Sequence, residues 1–268
     1  MKKERIDILL VEKGFFDSRE KAKRAIMAGL VHDDHDRIDK PGTKIDIESN
    51  LYVKGQTLKY VSRGGLKLEK AIELYHLDLK DKIMLDIGSS TGGFSDCGLQ
   101  NGVRMVYALD VGTNQLAWKI RSDPRVEVME QTNFRYVEIE RFNKGRPDFC
   151  SIDVSFISLK HIFPKLYEIL KEDGQVVALI KPQFEAGREQ VGKKGIIKDP
   201  LVHQEVLEKV LGYANENGFC LEEITFSPIT GGQGNIEFLG LFKKGVQEKQ
   251  FDFSQVVEQS STYFGKQG

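Results

Sequence analysis

The chain has 268 residues, of which 40% are hydrophobic and 29% are charged, and its formal net charge is -1. This composition is typical of a globular protein, and the length allows one large domain or a large and a small one. Because the total charge is close to zero, it excludes a uniformly basic nucleic-acid-binding protein. Any RNA contact must therefore rest on local clusters of charge.

The cysteines and the hydropathy pattern indicate the compartment. Cys97, Cys150 and Cys220 are widely spaced and form neither a disulfide framework nor a pair of Cys-x-x-Cys motifs, which favours a reducing environment. The N-terminal segment alternates charged and apolar residues, unlike a signal peptide, and no apolar run approaches the roughly 20 residues that span a bilayer. We therefore expect a cytoplasmic protein that does not contact a membrane.

The first 57 residues predict a small α+β domain. Apolar residues predict a short helix over 5–13, and Ser18 is a candidate N-cap for a second helix that ends near Met27. Short strands separated by polar turns follow between residues 31 and 53. The second helix carries arginines and lysines opposite an apolar side of alanine and isoleucine.

This basic helix is either a solvated surface or an RNA contact. The ordered motifs are Arg-Ile-Asp from residue 5, Ser-Arg-Glu-Lys-Ala-Lys-Arg-Ala-Ile from residue 18, then Gly-Leu-Val and a Lys-Pro-Gly turn. Together they resemble the S4-type RNA-binding domain over residues 4 to about 57. That family grips structured RNA mostly through phosphates and shape. The resemblance implies RNA contacts from five side chains, Arg5, Ser18, Arg19, Lys21 and Lys23.

The turn after this helix departs from the family pattern. Its sequence, His-Asp-Asp-His over residues 32–35, is negatively charged where many relatives carry a valine-and-asparagine-type turn. The charge argues against close RNA contact there. A metal site built from the two histidines and two aspartates is one alternative, and a solvated turn is the favoured one.

The remainder of the chain predicts an α/β domain over residues 62–245, joined to the first domain by a connection over 58–61. Apolar strands are predicted at 83–87, 105–109, 126–129, 149–152, 176–180, 221–226 and 236–242. Helices are predicted from residue 62 to about residue 75 and at 93–100, 114–121, 159–170 and 201–216. This alternation predicts a mostly parallel seven-stranded sheet with helices on both faces, ending in an antiparallel hairpin. Residues 246–268 form a C-terminal extension, either a docked helix or a loose tail.

A glycine-rich turn follows the first of these strands. Residues 83–94 read Ile-Met-Leu-Asp-Ile-Gly-Ser-Ser-Thr-Gly-Gly-Phe, a strand, a tight loop and a helix N-terminus that suit a nucleotide-like cofactor. The spacing Gly-x-x-x-Gly-Gly after Asp86 departs from the dinucleotide pattern and favours S-adenosylmethionine over NAD. Asp110 ends the next strand, where a ribose-binding carboxylate is expected. An ordinary strand-to-helix turn is the alternative.

Four ionisable residues lie where an open α/β sheet places its chemistry. Asp153 and Lys181 follow two parallel strands, Glu237 opens the last strand, and Lys67 lies on the helix that enters the domain. Each alone could be a surface charge or a helix cap. Together they form a site in which a lysine beside another ammonium group loses its proton more readily and can accept one from a ribose 2′-hydroxyl.

Several of these segments resemble one family. Ser-Arg-Gly-Gly-Leu-Lys-Leu, Ser-Ser-Thr-Gly-Gly-Phe, Asp-Val-Gly-x-x-Gln-Leu-Ala-Trp, Asp-Val-Ser-Phe-Ile-Ser-Leu, Lys-Pro-Gln-Phe-Glu and Gly-Asn-Ile-Glu are similar to the TlyA (hemolysin A-like) family, over residues 4 to about 243. That family joins an S4-type domain to an FtsJ-type (RrmJ-like), Rossmann-like methyltransferase domain. It transfers a methyl group from S-adenosylmethionine to a cytidine 2′-hydroxyl in ribosomal RNA. The resemblance implies a catalytic tetrad of Lys67, Asp153, Lys181 and Glu237, with Lys181 as the proton acceptor and no metal required.

The same resemblance implies the cofactor contacts. Six residues are expected to line its methionine and ribose end: Asp86, Gly88, Ser90, Gly92, Gly93 and Phe94. Asp110 is expected to bind the ribose hydroxyls, and Gln131, Thr132 and Asn133 to flank the adenine. Trp118 and Phe156 either stack on a base or belong to the core.

Three alternatives remain open. A non-catalytic RNA-binding factor in ribosome assembly would have little reason to keep all four charged residues of the tetrad. A membrane-active haemolysin lacks support from any export signal or spanning segment. An NAD-dependent oxidoreductase can be distinguished from a methyltransferase by measuring whether NAD or S-adenosylmethionine raises the melting temperature of the protein. The expected partners are ribosomal RNA or ribosomal subunits, with no obligate protein partner.

Overall fold

A computed structural model describes residues 3–16, 18–33, 36–47, 49, 51–54, 59–192, 195–231, 234–247 and 249–265. The chain divides into two compact units, Met1–Arg63 and Gly64–Gly268. Asp34 and His35 of the acidic turn lie outside the described residues, as does residue 58 of the predicted connection over 58–61. The domain limits drawn from the sequence stay predictions.

The N-terminal unit combines two helices with short strands. Its elements in chain order are β1 (Lys3–Arg5), α1 (Ile6–Glu12), α2 (Arg19–Met27), β2 (Val31–His32), β3 (Arg37–Ile38), β4 (Lys44–Asp46) and β5 (Tyr52–Val53). Strand β1 pairs antiparallel with β4, and β2 lies between β3 and β5. The predicted N-cap is confirmed, because Ser18 Oγ accepts a hydrogen bond from the backbone N–H of Lys21. Strand β1 was not predicted, since its sequence Lys-Glu-Arg has no apolar alternation.

The C-terminal unit is the predicted α/β fold with a seven-stranded sheet. Its strands are β6 (Ile83–Ile87), β7 (Met105–Leu109), β8 (Val126–Met129), β9 (Phe149–Ile152), β10 (Gln175–Ile180), β11 (Phe219–Phe226) and β12 (Phe238–Lys244). Its helices are α3 (Gly64–Leu74), α4 (Gly93–Gln100), α5 (Trp118–Arg121), α6 (Phe163–Ile169), α7 (Pro182–Glu185), α8 (Pro200–Glu216) and α9 (Phe253–Gly265). The strand order is β11-β12-β10-β9-β6-β7-β8, and only β12 runs antiparallel to its neighbours β10 and β11.

The strand order places a cleft at the carboxyl ends of the central strands. The chain builds β6, β7 and β8 outward in one direction and then returns to place β9 on the other side of β6. In open parallel sheets, ligands bind outside the carboxyl ends of the strands at such a switch point. Every residue of β6 and β9 is buried, which explains why both read as continuous apolar runs.

Two predicted helices are shorter in the structure. The helix predicted over 114–121 is reduced to α5. Asn114 has a left-handed backbone with φ of 54°, and Ala117, directly before α5, has a non-helical ψ of 141°. The helix predicted over 159–170 is split into a 3₁₀ turn at Leu159–His161 and helix α6, whose first turn contains Pro164. Glu237 precedes β12 instead of opening it.

The C-terminal extension ends in a docked helix, which resolves the two alternatives drawn from the sequence. Helix α9 buries Phe253, Val256, Val257 and Ser260, and it packs against α8 and β11. In the described part of the chain, no helix is both long and apolar enough to cross a membrane.

Candidate active site

The four residues predicted as a tetrad lie together at the carboxyl edge of the sheet. Lys67 Nζ is 2.8 Å from Glu237 Oε2 and 3.6 Å from Asp153 Oδ2. Lys181 Nζ is 2.6 Å from Asp153 Oδ1. Asp153 therefore bridges two ammonium groups, and its own side chain is 22% exposed while those of Lys67, Lys181 and Glu237 are at most 10% exposed.

Separate elements bring these side chains to one point. Asp153 and Lys181 directly follow β9 and β10, which are adjacent parallel strands, so both side chains emerge at the same edge. Strand β12 lies antiparallel beside β10 with Phe238 opposite Ile180, which sets Glu237 next to Lys181. Lys67 comes from the buried side of α3. The arrangement is thus a consequence of the sheet topology.

The charges of the tetrad keep Asp153 ionised. Burial by itself raises the pKa of this carboxyl, but the neighbouring Lys67 and Lys181 ammonium groups outweigh burial, and the pKa of Asp153 is lowered. An ionised carboxylate therefore lies between the two lysine side chains.

Contacts around the tetrad hold its members in place, and the sequence did not reveal them. Glu237 Oε1 accepts a hydrogen bond from Gln183 Nε2 at 3.3 Å. Lys181 Nζ donates to Ser155 Oγ at 3.0 Å. Gly231 lies so close that a Cβ there would be 2.0 Å from Glu237 Oε1. Gln183 belongs to the Lys-Pro-Gln-Phe-Glu motif and Ser155 to the Asp-Val-Ser-Phe motif. Their position in these motifs is the sequence feature that could have identified them as site residues.

A cleft of about 770 Å³ opens beside the tetrad at the switch point of the sheet. Five of the predicted site residues line it: Gly88, Ser90, Asp110, Asn133 and Asp153. Side chains that were not predicted line it as well, among them Val111, Gln115, Arg135 and Ser155. Because Asp153 belongs to both the cleft and the tetrad, a ligand in the cleft would lie next to the paired lysines.

The cleft has a preformed wall that fits a nucleoside. The Asp110 carboxylate accepts the backbone N–H of Ser90 at 2.8 Å and that of Gly112 at 2.7 Å, which fixes its orientation. Gly88 has φ of 83°, and a Cβ there would lie 2.3 Å from the backbone oxygen of Asp153. An oriented carboxylate beside a glycine turn and apolar side chains fits the ribose and the ring of S-adenosylmethionine.

Other predicted cofactor residues do not line the cleft. Phe94 is buried. Gly92, the residue before α4, has φ of 95° and packs against the Leu116 side chain, and Gly93 is the first residue of α4. The backbone N–H groups of Gln131 and Thr132 close a loop by bonding to the carbonyl oxygens of Gly112 and Asp110. Their cofactor contacts stay predictions.

Asp86 is placed differently from the sequence prediction. It is fully buried, and its two carboxylate oxygens accept hydrogen bonds from Ser95 Oγ at 2.6 Å and Ser151 Oγ at 2.8 Å. These bonds tie β6 to α4 and β9. The side chain therefore supports the turn from behind and does not line the cleft.

Trp118 and Phe156 are not core residues, so that alternative is wrong for both. Trp118 is 77% exposed on α5, and Phe156 is 91% exposed. Phe156 also lines the cleft, contacts the Phe184 ring at a centroid distance of 4.9 Å, and has a left-handed backbone with φ of 62°. An exposed aromatic ring in a strained loop beside the cleft suits stacking on a base.

The predicted RNA-contacting residues all belong to the N-terminal unit. Arg5 and Arg19 are half-exposed and share the buried carboxylate of Asp7, with Arg5 Nε 2.9 Å from Oδ1 and Arg19 Nη2 2.7 Å from Oδ2. Lys23 pairs with Glu20 at 2.7 Å, and Ser18 caps α2. Lys21 is exposed. Within the described residues, no three histidine, cysteine or acidic side chains form a group that could hold a metal ion.

Asp86 is expected to make the stability of the protein fall as the pH rises through the mildly acidic range. Burial raises the pKa of Asp86 to about 6, although the two serine hydrogen bonds lower it. Between the unfolded value of about 3.9 and that pKa, the unfolded chain has released the proton that the folded chain still holds. The free energy of unfolding therefore decreases with pH across this window, by roughly 3 kcal/mol from this group.

Asp86→Asn removes this titration, so its free energy of unfolding should fall less with pH. Urea denaturation of both proteins at about pH 4 and about pH 6 measures the difference. Parallel curves for the two proteins would contradict the assignment.

The chain is similar to known protein families and to individual proteins. The sequence profile of the FtsJ-like methyltransferase family matches residues 60–244, and that of the S4 domain matches residues 4–50. YqxC of Bacillus subtilis, named as a candidate rRNA methyltransferase, is 56% identical over 97% of this chain and 94% of its own length. The Mycobacterium tuberculosis protein named 16S/23S rRNA (cytidine-2′-O)-methyltransferase TlyA is 39% identical over 87% of both chains.

A solved structure agrees as well. It comes from Streptococcus thermophilus, is described as a candidate hemolysin, shares 54% identity and covers 100% of this chain and 98% of its own, with a TM-score of 0.88. The chain therefore belongs to the FtsJ-like methyltransferase family and, within it, to the TlyA (hemolysin A-like) proteins that carry an S4 domain at the N-terminus.

Proposed function

We propose that this protein is an rRNA methyltransferase that transfers a methyl group from S-adenosylmethionine to a cytidine ribose 2′-hydroxyl. The observation that carries the proposal is the Lys67, Asp153, Lys181 and Glu237 tetrad beside a nucleoside-sized cleft. The name of the Mycobacterium tuberculosis relative supplies the nucleotide and the ribose position.

The cleft wall would hold the cofactor. Asp110 would bind the ribose hydroxyls, and the turn at Gly88 and Ser90 would allow close approach of the backbone, with Asn133 beside the adenine. When bound, S-adenosylmethionine supplies a methyl group attached to a sulfonium sulfur, which is a good leaving group because it departs as a neutral thioether. The protein must then supply orientation and a proton acceptor.

Lys181 is the proton acceptor in this proposal. Its Nζ, as a neutral amine, takes the proton of the 2′-hydroxyl and becomes an ammonium group next to the ionised Asp153. The second carboxylate, Glu237, holds Lys67, which in turn contacts the other oxygen of Asp153. The tetrad therefore compensates the positive charge that forms on Lys181.

Other residues would hold the RNA. The exposed ring of Phe156 at the cleft could stack on the target base, because stacking on aromatic side chains is a common way to hold a nucleotide out of its helix. The basic face of α2 would bind the phosphates of structured RNA.

Replacing Arg19 and Lys21 by alanine should weaken RNA binding and make its salt dependence shallower. Each phosphate contact that is lost reduces the slope of log K against log salt by roughly 0.7 to 0.9. Filter binding of a ribosomal RNA fragment at several salt concentrations measures both quantities. An unchanged slope would count against RNA contact by this helix.

Methyl transfer from labelled S-adenosylmethionine tests the proposal directly. Small subunits, large subunits and protein-free ribosomal RNA are offered as substrates, and nuclease mapping locates the label. Label on a cytidine 2′-oxygen supports the proposal. Tight cofactor binding with no transfer to any substrate would favour a non-catalytic role in ribosome assembly.

A further inference from the structure

Ser155 is a second hydrogen-bond partner of the proposed base and has no part in the tetrad. It lies two residues after Asp153, in an exposed position on the loop that follows β9, and it lines the cleft. Its Oγ accepts a hydrogen bond from Lys181 Nζ at 3.0 Å, while Asp153 Oδ1 is 2.6 Å from the same nitrogen. Two oxygens from one short segment thus contact the amine of Lys181.

Because an amine is tetrahedral, these two contacts fix the direction of its lone pair. A neutral lysine nitrogen has four directions, one to Cε, two to hydrogens and one to the lone pair. When Asp153 Oδ1 and Ser155 Oγ each accept one N–H, both hydrogens are assigned and the lone pair has a single direction left. With Asp153 alone, the amine can rotate about the Cε–Nζ bond and the lone pair can exchange places with the second hydrogen.

We propose that Ser155 is a positioning residue that aims the lone pair of Lys181 at the substrate hydroxyl. The inference rests on the proposed function, in which Lys181 takes the 2′-hydroxyl proton. Serine suits this task because its hydroxyl can accept from the amine and donate its own hydrogen to solvent, as the exposed position allows. A carboxylate at this position would add a further charge beside Asp153.

The prediction for Ser155→Ala is a fall of about tenfold in kcat with KM for RNA and cofactor affinity unchanged, because orientation and not binding is lost. Ser155→Thr keeps the hydroxyl and should restore most of the rate. Ser254→Ala is the matched control, since Ser254 lies at the start of α9 and contacts Asp252. It should have the wild-type kcat.

A measurement without turnover examines the same contact. Limited acetylation with acetic anhydride, read by mass spectrometry, compares the reactivity of Lys181 with that of Lys67 in the same protein. In Ser155→Ala the amine of Lys181 loses one acceptor, so its acetylation relative to Lys67 should increase. Ser155→Thr should have the wild-type ratio.

The outcomes separate this inference from the proposed function. A wild-type protein that transfers no methyl group would overturn both. An active wild type with an equally active Ser155→Ala variant and an unchanged acetylation ratio would overturn the inference alone. A loss shared by the alanine and threonine variants, accompanied by a higher KM, would also overturn it, because it would assign Ser155 to substrate binding.

Discussion

Lys181→Ala is expected to reduce methyl transfer by roughly 10²-fold to 10⁴-fold, the usual contribution of a positioned general base. Cofactor binding should be retained, because Lys181 does not line the cleft while Asp110 and the Gly88 turn do. Single-turnover incorporation of labelled methyl measures the first effect, and titration calorimetry with S-adenosylmethionine measures the second. Transfer at the wild-type rate would remove Lys181 from the proposed role.

Lys181→Arg separates the charge of this residue from its basicity. An arginine can keep an ion pair with Asp153, but it stays protonated at every accessible pH and cannot accept a proton. We therefore expect the arginine variant to be as inactive as the alanine variant. An arginine variant that is much more active than the alanine variant would show that Lys181 acts as a fixed positive charge.

The sheet and the shared position of Asp153 and Lys181 were predictable for the same reason. Parallel strands buried on both faces read as continuous apolar runs, so the predicted limits 83–87 and 149–152 coincide with β6 and β9. Once the strands are located, topology requires that residues following adjacent strands meet at one edge. Asp153 and Lys181 could therefore be paired from the sequence.

The surroundings of the site could not be read in this way. An aspartate at the end of a strand looks the same whether it faces a ligand or the interior, and the partners of Asp86 are Ser95 on a helix and Ser151 on another strand. Hydrophobicity suggested burial for Phe156, whereas the left-handed backbone at this residue accompanies an exposed ring. Such features depend on side-chain direction, which hydrophobic periodicity does not report.

Gly88→Ala is expected to damage both the fold and the activity. A Cβ at this position would lie 2.3 Å from the backbone oxygen of Asp153 and 2.9 Å from its carbonyl carbon, and φ of 83° is strained for alanine. Neither backbone atom can move without shifting the end of β9. We expect a loss of about 3 kcal/mol in the free energy of unfolding, from strain and overpacking together.

Gly212→Ala is the matched control for this substitution. Gly212 lies within α8, and nothing is within 4 Å of the Cβ that alanine would add, so the variant should gain roughly 0.5 to 1 kcal/mol of stability. Thermal and urea denaturation measure both variants, and methyl transfer is compared at a temperature where each is folded. Because Gly88→Ala displaces Asp153, its activity should fall even when it is folded, while Gly212→Ala keeps the wild-type rate. A folded and fully active Gly88→Ala protein would mean that the contact between the glycine turn and Asp153 does not set the geometry of the tetrad.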